Sequence, residues 1–367
     1  ALDNINRDMS SKQKMFRLLQ GDVGSGKTIV SVLAAINAIK SGYQVAMMAP
    51  TEILALQHLK FIKENFSEQI NCEILTSKTD YQTRKQIMSN LSNNKIDILI
   101  GTHSLFQHKL SYYKLGLIII DEQHKFGVNQ RKKLSDKGGN DCDVLVMSAT
   151  PIPRTMMMTI YGDMDISLIK TKPKNRKPII TYSKNENKIN EVIEFIKKEI
   201  INKNQVFWVC PLINESKKIN HQSVITKHKS LEKIFKNKVD ILHGSMDKNQ
   251  KELVLKKFKD KKIDILISTT VIEVGIDFPN ANVIIVENAN KYGLSQLHQL
   301  RGRVGRGSKE AKCILMFNAN LSENARKRIN ILKNNDDGFK IAEEDLKIRG
   351  YGDILGFKQS GIKKYNL

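Results

Sequence analysis

Cysteine is scarce and scattered in this chain of 367 residues. Cys72, Cys142, Cys210 and Cys313 show no CxxC spacing, which argues against a zinc site or a disulfide framework and implies a reduced, intracellular setting. Apolar runs stop at strand length, as over 117–120, so no segment reads as a membrane span. No charged-then-apolar leader opens the chain. It starts at Ala1 rather than Met, and the expectation is a fragment. Acid is short relative to base: 60 Lys and Arg against 38 Asp and Glu leave a net charge of +22. That surplus points to a polyanion such as nucleic acid. The alternative is a general bias toward Lys, Asn and Ile, whose scattered lysines would only make solvated faces. The length exceeds what one core usually holds, so two domains with some extra material are expected.

What is present starts with Gly21-Asp22-Val23-Gly24-Ser25-Gly26-Lys27-Thr28, which fills every slot of the phosphate-cradling pattern G-x-x-x-x-G-K-[ST]. Its glycines allow backbone conformations closed to other residues and turn N–H groups toward a phosphate chain. Lys27 is expected to meet the β- and γ-phosphates, and Thr28 to ligate Mg²⁺. A strand is predicted over 16–20 and a helix over 27–40, whose positive dipole end would face the phosphates. A flexible Gly/Ser turn is the plain alternative.

Strands then alternate with helices: strands over 43–48, 73–75, 96–100, 115–120 and 143–147, helices over 53–66 and 80–91. Such alternation implies parallel pairing with right-handed crossovers, so the loops after the strands share one edge with the phosphate site. Thr51, Thr76, Ser77, Thr102 and His103 fall on that edge. They either hold a nucleic-acid backbone or cap the helices that follow. The run Leu117-Ile118-Ile119-Ile120 is a doubly buried strand that delivers Asp121 and Glu122. Asp121 is placed for the Mg²⁺ shell, and Glu122, with Gln123, for orienting the attacking water. A plain helix N-terminus would also account for the two acids. Ser148-Ala149-Thr150-Pro151-Ile152-Pro153-Arg154 reads as a stiff polar connector.

A linker is expected over 170–177, with Pro173 and Pro178 breaking the pattern. A second lobe follows, with strands over 179–182, 205–210, 239–242, 263–267, 283–286 and 313–317 and helices over 186–201, 231–235 and 248–258. It has no phosphate loop. It carries Arg301, Arg303 and Arg306, spaced by glycine and valine in a way that suits an ordinary helix face poorly. Arg303 and Arg306 are read as arginine fingers for a nucleotide held by the first lobe, and the rival reading is a basic patch on nucleic-acid phosphates, strongest for Arg301.

Taken together, GDVGSGKT at 21–28, APTEILA at 49–55, GTHSLFQ at 101–107, DEQHKFGV at 121–128, MSATPIPRT at 147–155, TTVIEVGIDFPNA at 269–281 and GLSQLHQLRGRVGRG at 293–307 resemble a superfamily 2 helicase motor, most closely that of the RecG family. The related transcription-repair coupling factor, Mfd, shares the architecture but fits less well at DEQH, VIEVG and ENANKYGLSQ. The resemblance implies an α/β fold of two tandem RecA-like parallel-sheet lobes, 1–168 and 169–318, followed by a helical hairpin and loop over 319–367. It adds His124 to the catalytic set, Gly275 and Asp277 to the nucleotide site, and Thr269 and Thr270 to the DNA contacts. The segment 338–361 resembles the translocation motif shared with Mfd, which makes Arg349 and Gln359 coupling residues. ATP and Mg²⁺, duplex and branched DNA (forks and Holliday junctions), single-stranded DNA-binding protein, a monomeric state and a bacterial, nucleoid-associated cytoplasmic location come with the family. Missing from this sequence are the N-terminal wedge with its oligonucleotide-binding barrel and the Gln-containing segment that reads adenine. The alternatives are an Mfd-like translocase, an RNA helicase motor, and a non-catalytic ATP-gated clamp.

Overall fold

A computed structural model describes residues 1–106, 110–121, 142–149, 164–171, 177–211, 217–269, 278, 280–307 and 309–349. The chain forms two compact units, divided chiefly between Pro173 and Lys174. Each is a parallel sheet covered by helices.

In the first unit, α1 (Leu2–Met9) leads into β1 (Phe16–Gly21), α2 (Lys27–Lys40), β2 (Gln44–Met48), α3 (Glu52–Phe66), β3 (Cys72–Leu75), α4 (Tyr81–Ser92), β4 (Ile98–Gly101), β5 (Leu115–Ile120), β6 (Asp143–Ser148) and β7 (Asp165–Ile169). The seven strands lie in the order β3-β4-β2-β5-β6-β1-β7, every pair parallel. Alternate residues of each central strand feed two cores. Leu19, Val45, Met47, Leu117, Ile119 and Leu145 pack on the α2 and α3 side, while Leu18, Ala46, Met48, Ile118, Ile120 and Val146 pack on the α4 side. Burial on both faces explains why these strands read as unbroken apolar runs.

The second unit runs β8 (Ile179–Asn185), α5 (Ile189–Ile201), β9 (Gln205–Val209), α6 (Lys217–Phe235), β10 (Val239–Leu242), α7 (Lys248–Lys259), β11 (Ile265–Ser268), β12 (Ala281–Val286), α8 (Leu294–Arg301), β13 (Ala311–Phe317), α9 (Glu323–Asn334) and α10 (Gly338–Arg349). Its sheet has the order β10-β11-β9-β12-β13-β8, again all parallel. On one face Phe207, Phe258 and Phe278 pack as a triad with ring centroids 5.1–5.6 Å apart.

The two sheets repeat one plan. Laid side by side, the strand orders equate β2 with β9, β4 with β11 and β5 with β12. Buried Gln44 at the head of β2 donates to Leu91 O and Ile96 O, and buried Gln205 at the head of β9 donates to Phe258 O and Ile263 O. In both lobes one amide thus ties the end of a helix to the approach of the neighbouring strand. Gln44 Oε1 also accepts from the N–H groups of Tyr113 and Lys114, whereas Gln205 Oε1 has no partner among the described residues. Replacing Gln44 with Ala is therefore expected to lower the stability of the first lobe by about 2 kcal/mol, and Gln205→Ala to cost the second lobe less. Urea unfolding midpoints of the two variants check this.

Several elements depart from the sequence expectation. Helix α1 occupies what reads as a polar approach to the first strand; Ile5 is buried, and Asp8 holds the buried Arg17, which also donates to Ser167 on β7. Strand β7 was not expected, and it carries the first sheet past residue 168. Helix α6 begins at Lys217, not 231, in a lysine-rich stretch whose apolar stripe is thin; buried Val224 and Leu231 anchor it. Helices α9 and α10 follow the second sheet. They pack on α8 and, for α9, on β8.

Among the described residues no helix is long and apolar enough to cross a membrane. All four cysteines are buried free thiols, and burial pushes Cys72, Cys142 and Cys313 up to about 12. Thiols held so far from the thiolate form are poor nucleophiles.

Candidate nucleotide site and the arginine segment

Strand β1 ends at Gly21 and α2 starts at Lys27, so the phosphate loop is a tight turn between a central strand and a helix. Gly24 and Gly26 hold φ angles of 75° and 93°, the left-handed region that side chains disfavour. At Gly21 the reason for glycine is space: a Cβ there would sit 2.3 Å from Ser25 Oγ and 3.2 Å from Ile169 Cβ. Ser25 N–H donates to Asp22 O at 3.1 Å, and Val23 N–H to Asp22 Oδ1 at 2.7 Å, closing the turn. Lys27 Nζ donates to Gly21 O at 2.8 Å and Asp22 O at 2.9 Å, so the ammonium stays at the loop.

The first turn of α2 carries no acidic residue, and no side chain caps it. Ser25 Oγ is buried with no partner among the described residues. Together these features form an anion cradle, and the donors suit a phosphate chain. For a cation, Thr28 lies in the first turn of α2, and Asp121 follows β5 of the sheet that β1 belongs to. Hydroxyl and carboxylate oxygens are the donor set Mg²⁺ takes.

Asp121 is buried, its N–H donates to Met48 O at 2.8 Å, and its Oδ2 lies 3.0 Å from Nε2 of His58. His58 sits on the inner face of α3 with Ala55 and Ile62. It was missed in the sequence because a single histidine in an apolar helical stripe reads as core; a polar side chain in that stripe was the available signal. Glu122, Gln123 and His124 lie outside the described residues, as do Thr270, Gly275, Asp277 and Gln359.

Two of the hydroxyls at the strand ends make local bonds. Thr51 is the N-cap of α3 and accepts from Leu54 N–H, while Thr76 Oγ1 accepts from Lys78 N–H within its own loop. Asp80, rather than Thr76 or Ser77, caps α4. Thr102 precedes a short 3₁₀ turn over His103–Phe106, and Thr269 is buried after β11.

In the second lobe, α8 ends at Arg301 with Gly302 as its C-cap, and Gly305, at φ 72°, turns the chain away. Arg301 is 2% exposed. Its guanidinium donates to Leu332 O at 2.6 Å and Asn335 O at 2.9 Å, at the C-terminus of α9, and contacts His298 Nδ1 at 3.1 Å. This corrects the phosphate-patch reading of Arg301: a buried guanidinium already committed to carbonyls cannot face nucleic acid, and it pins α9 to α8. Ser295 Oγ donates to Asp345 Oδ2 at 2.8 Å and Arg328 to Tyr292 O at 2.8 Å, fastening α8 and its approach to α10 and α9. Arg303 is buried and Arg306 half-buried in the segment that follows. Arg349 is the last residue of α10.

The DEAD/DEAH box helicase family matches residues 4–159, and the helicase conserved C-terminal domain matches residues 187–308. The ATP-dependent DNA helicase RecG of Bacillus subtilis is 46% identical over 369 residues, covering 100% of this chain and 54% of the relative. The chain belongs to the RecG-like helicases. RecG of Thermotoga maritima is also 46% identical, over 100% of this chain and 47% of its own length. A structure of RecG bound to a three-way DNA junction superposes with a TM-score of 0.82 at 43% identity, covering 99% of this chain and 47% of that one. The chain thus spans about half the length of the RecG proteins it matches. The match runs through both sheets and through α9 and α10.

Proposed function

We propose that the chain is the motor of an ATP-hydrolysing, double-stranded DNA translocase that remodels branched DNA, such as stalled forks and Holliday junctions, in recombination and repair. The observation that carries it is the phosphate loop, with Lys27 held at its mouth, in a chain 43% identical to a protein solved on a three-way DNA junction. The net charge of +22 suits a polyanionic track.

In this reading the backbone of 21–26 and Lys27 grip the phosphates. Thr28 and Asp121 would hold Mg²⁺, which when bound neutralises charge on the transferring phosphoryl group. Glu122, with Gln123 and His124, orients the attacking water and takes its proton. Gly275 and Asp277 contribute to the nucleotide site, and Arg303 and Arg306 stabilise charge as the phosphoryl oxygen bridge breaks. Thr51, Thr102, His103, Thr269 and Thr270 contact the DNA backbone, and Arg349 and Gln359 couple turnover to movement. Residues 1–168 form the ATP-binding domain, 169–318 the C-terminal helicase domain and 319–367 the translocation hairpin. Single-stranded DNA-binding protein as a partner, action as a monomer and a nucleoid-associated bacterial location complete the proposal.

The test is phosphate release with and without nucleic acid. Duplex or branched DNA should raise ATP turnover at least tenfold, and RNA of the same length should not. Turnover unchanged by any DNA, in protein that also carries the N-terminal portion found in its relatives, would sink the reading. Stimulation by RNA alone would select the RNA helicase alternative.

A further inference from the structure

The fold repeats, and so does a contact between an acidic and a basic side chain at the end of its corresponding strands. In the first lobe Asp121 follows β5, and its N–H bonds Met48 O, the last residue of β2, at 2.8 Å. In the second, Glu287 follows β12, and its N–H bonds Val209 O, the last residue of β9, at 3.0 Å. The two acids therefore hold equivalent places. Each is met by a basic side chain from the helix that comes after the equivalent strand: His58 of α3 in one lobe, Lys227 of α6 in the other. Lys227 Nζ lies 2.5 Å from Glu287 Oε1 and 5.1 Å from the centroid of the Trp208 ring.

The partners differ in the one lobe that carries a phosphate loop. An ammonium brings a permanent positive charge and three donors to its carboxylate. Asp121 follows β5 in the sheet whose β1 leads into the phosphate loop, and a fixed cation there would compete with a divalent ion. An imidazole supplies one directional N–H, from Nε2 to Oδ2 at 3.0 Å, and the bond leaves Oδ1 uncommitted to it. The residues that hold a metal's ligands in place commonly set its affinity.

We infer that His58 is a positioning residue: it fixes the Asp121 carboxylate by one oxygen and thereby presents the other to Mg²⁺ bound with the nucleotide. This rests on the nucleotide reading of the site given above. His58 touches neither nucleotide nor metal in this account; it acts through Asp121. The side chain at position 58 thus decides whether the acid after β5 serves as a closed ion pair, as in the second lobe, or as a metal ligand.

The experiment is a Mg²⁺ titration of fluorescent-ADP binding to the wild type and to His58→Ala, His58→Gln and His58→Lys, with thermal melting of each. The wild type should bind the nucleotide more tightly as Mg²⁺ is added. His58→Ala should shift the Mg²⁺ midpoint upward about tenfold to a hundredfold, while affinity in excess EDTA stays the same. His58→Gln, which keeps an uncharged N–H donor, should stay within a few-fold of the wild type. His58→Lys recreates the second-lobe pair, so it should melt no lower than the wild type yet lose at least tenfold in Mg²⁺ response. Wild-type midpoints in both the Ala and Lys variants would overturn the inference. If His58→Ala does not fold, equal midpoints for Gln and Lys overturn it just as surely. A wild type whose nucleotide binding ignores Mg²⁺ overturns instead the nucleotide reading of the site.

Discussion

Replacing Arg306 with Ala is expected to lower DNA-stimulated ATP turnover about a thousandfold while leaving nucleotide affinity within a few-fold of the wild type. An arginine that meets the phosphoryl group only as charge builds up contributes to the transition state and little to the ground state. Arg306 follows Gly305, whose left-handed φ of 72° and a Cβ position 3.0 Å from Ala311 Cβ fix the turn that presents it. Arg306→Lys should recover little, because a single ammonium does not reproduce the planar fork of a guanidinium. Phosphate release and fluorescent-nucleotide binding, measured on the same preparation, separate the two effects. Equal losses in affinity and turnover would show that Arg306 acts in binding rather than in hydrolysis.

The second large effect is at Lys27. Lys27→Ala should reduce turnover by at least 10²–10³-fold and weaken nucleotide binding as well, because this side chain has no substitute within the loop. Its two bonds to Gly21 O and Asp22 O hold the ammonium at the cradle, so it is placed for phosphate at little reorganisation cost. The loop itself should survive the change. Ser25 N–H to Asp22 O, Val23 N–H to Asp22 Oδ1 and the left-handed glycines keep the turn without the lysine. Thermal melting within about a degree or two of the wild type, alongside lost turnover, is the expected pair of results, since Lys27 is half-buried and belongs to neither apolar core of the lobe. A large drop in melting temperature would instead mark Lys27 as a structural tie.

Much of the fold was legible because its signals are local. The expected helix over 27–40 coincides with α2, since Gly26 sets its start and Ser41-Gly42 its stop within a few residues. The central strands were equally plain, because double burial demands unbroken apolar runs, here 117–120 and 144–147. Elements at the margins were not legible. Helix α1 buries Ile5 alone, and β7 offers five residues with one buried apolar-facing polar side chain, Ser167, held by Arg17 from 150 residues away. Nothing in either segment announces its partner. Most of helix α6 went unread for the same reason, its stability lying in packing rather than periodicity.

By itself the sequence determined the phosphate loop, the acid after the buried strand, the alternation that makes the sheets parallel and the helicase family, because each depends on residue types within a few positions of one another. Only the tertiary structure decided that Arg301 is a buried tie to the end of α9, 31 residues on at Leu332, and that His58 grips Asp121 across 63 residues of chain. A guanidinium or an imidazole carries the same letter in the sequence whether it faces phosphate, carbonyl or carboxylate. Which of these it meets is set by how distant strands and helices stack, and that is a property of the packed core alone.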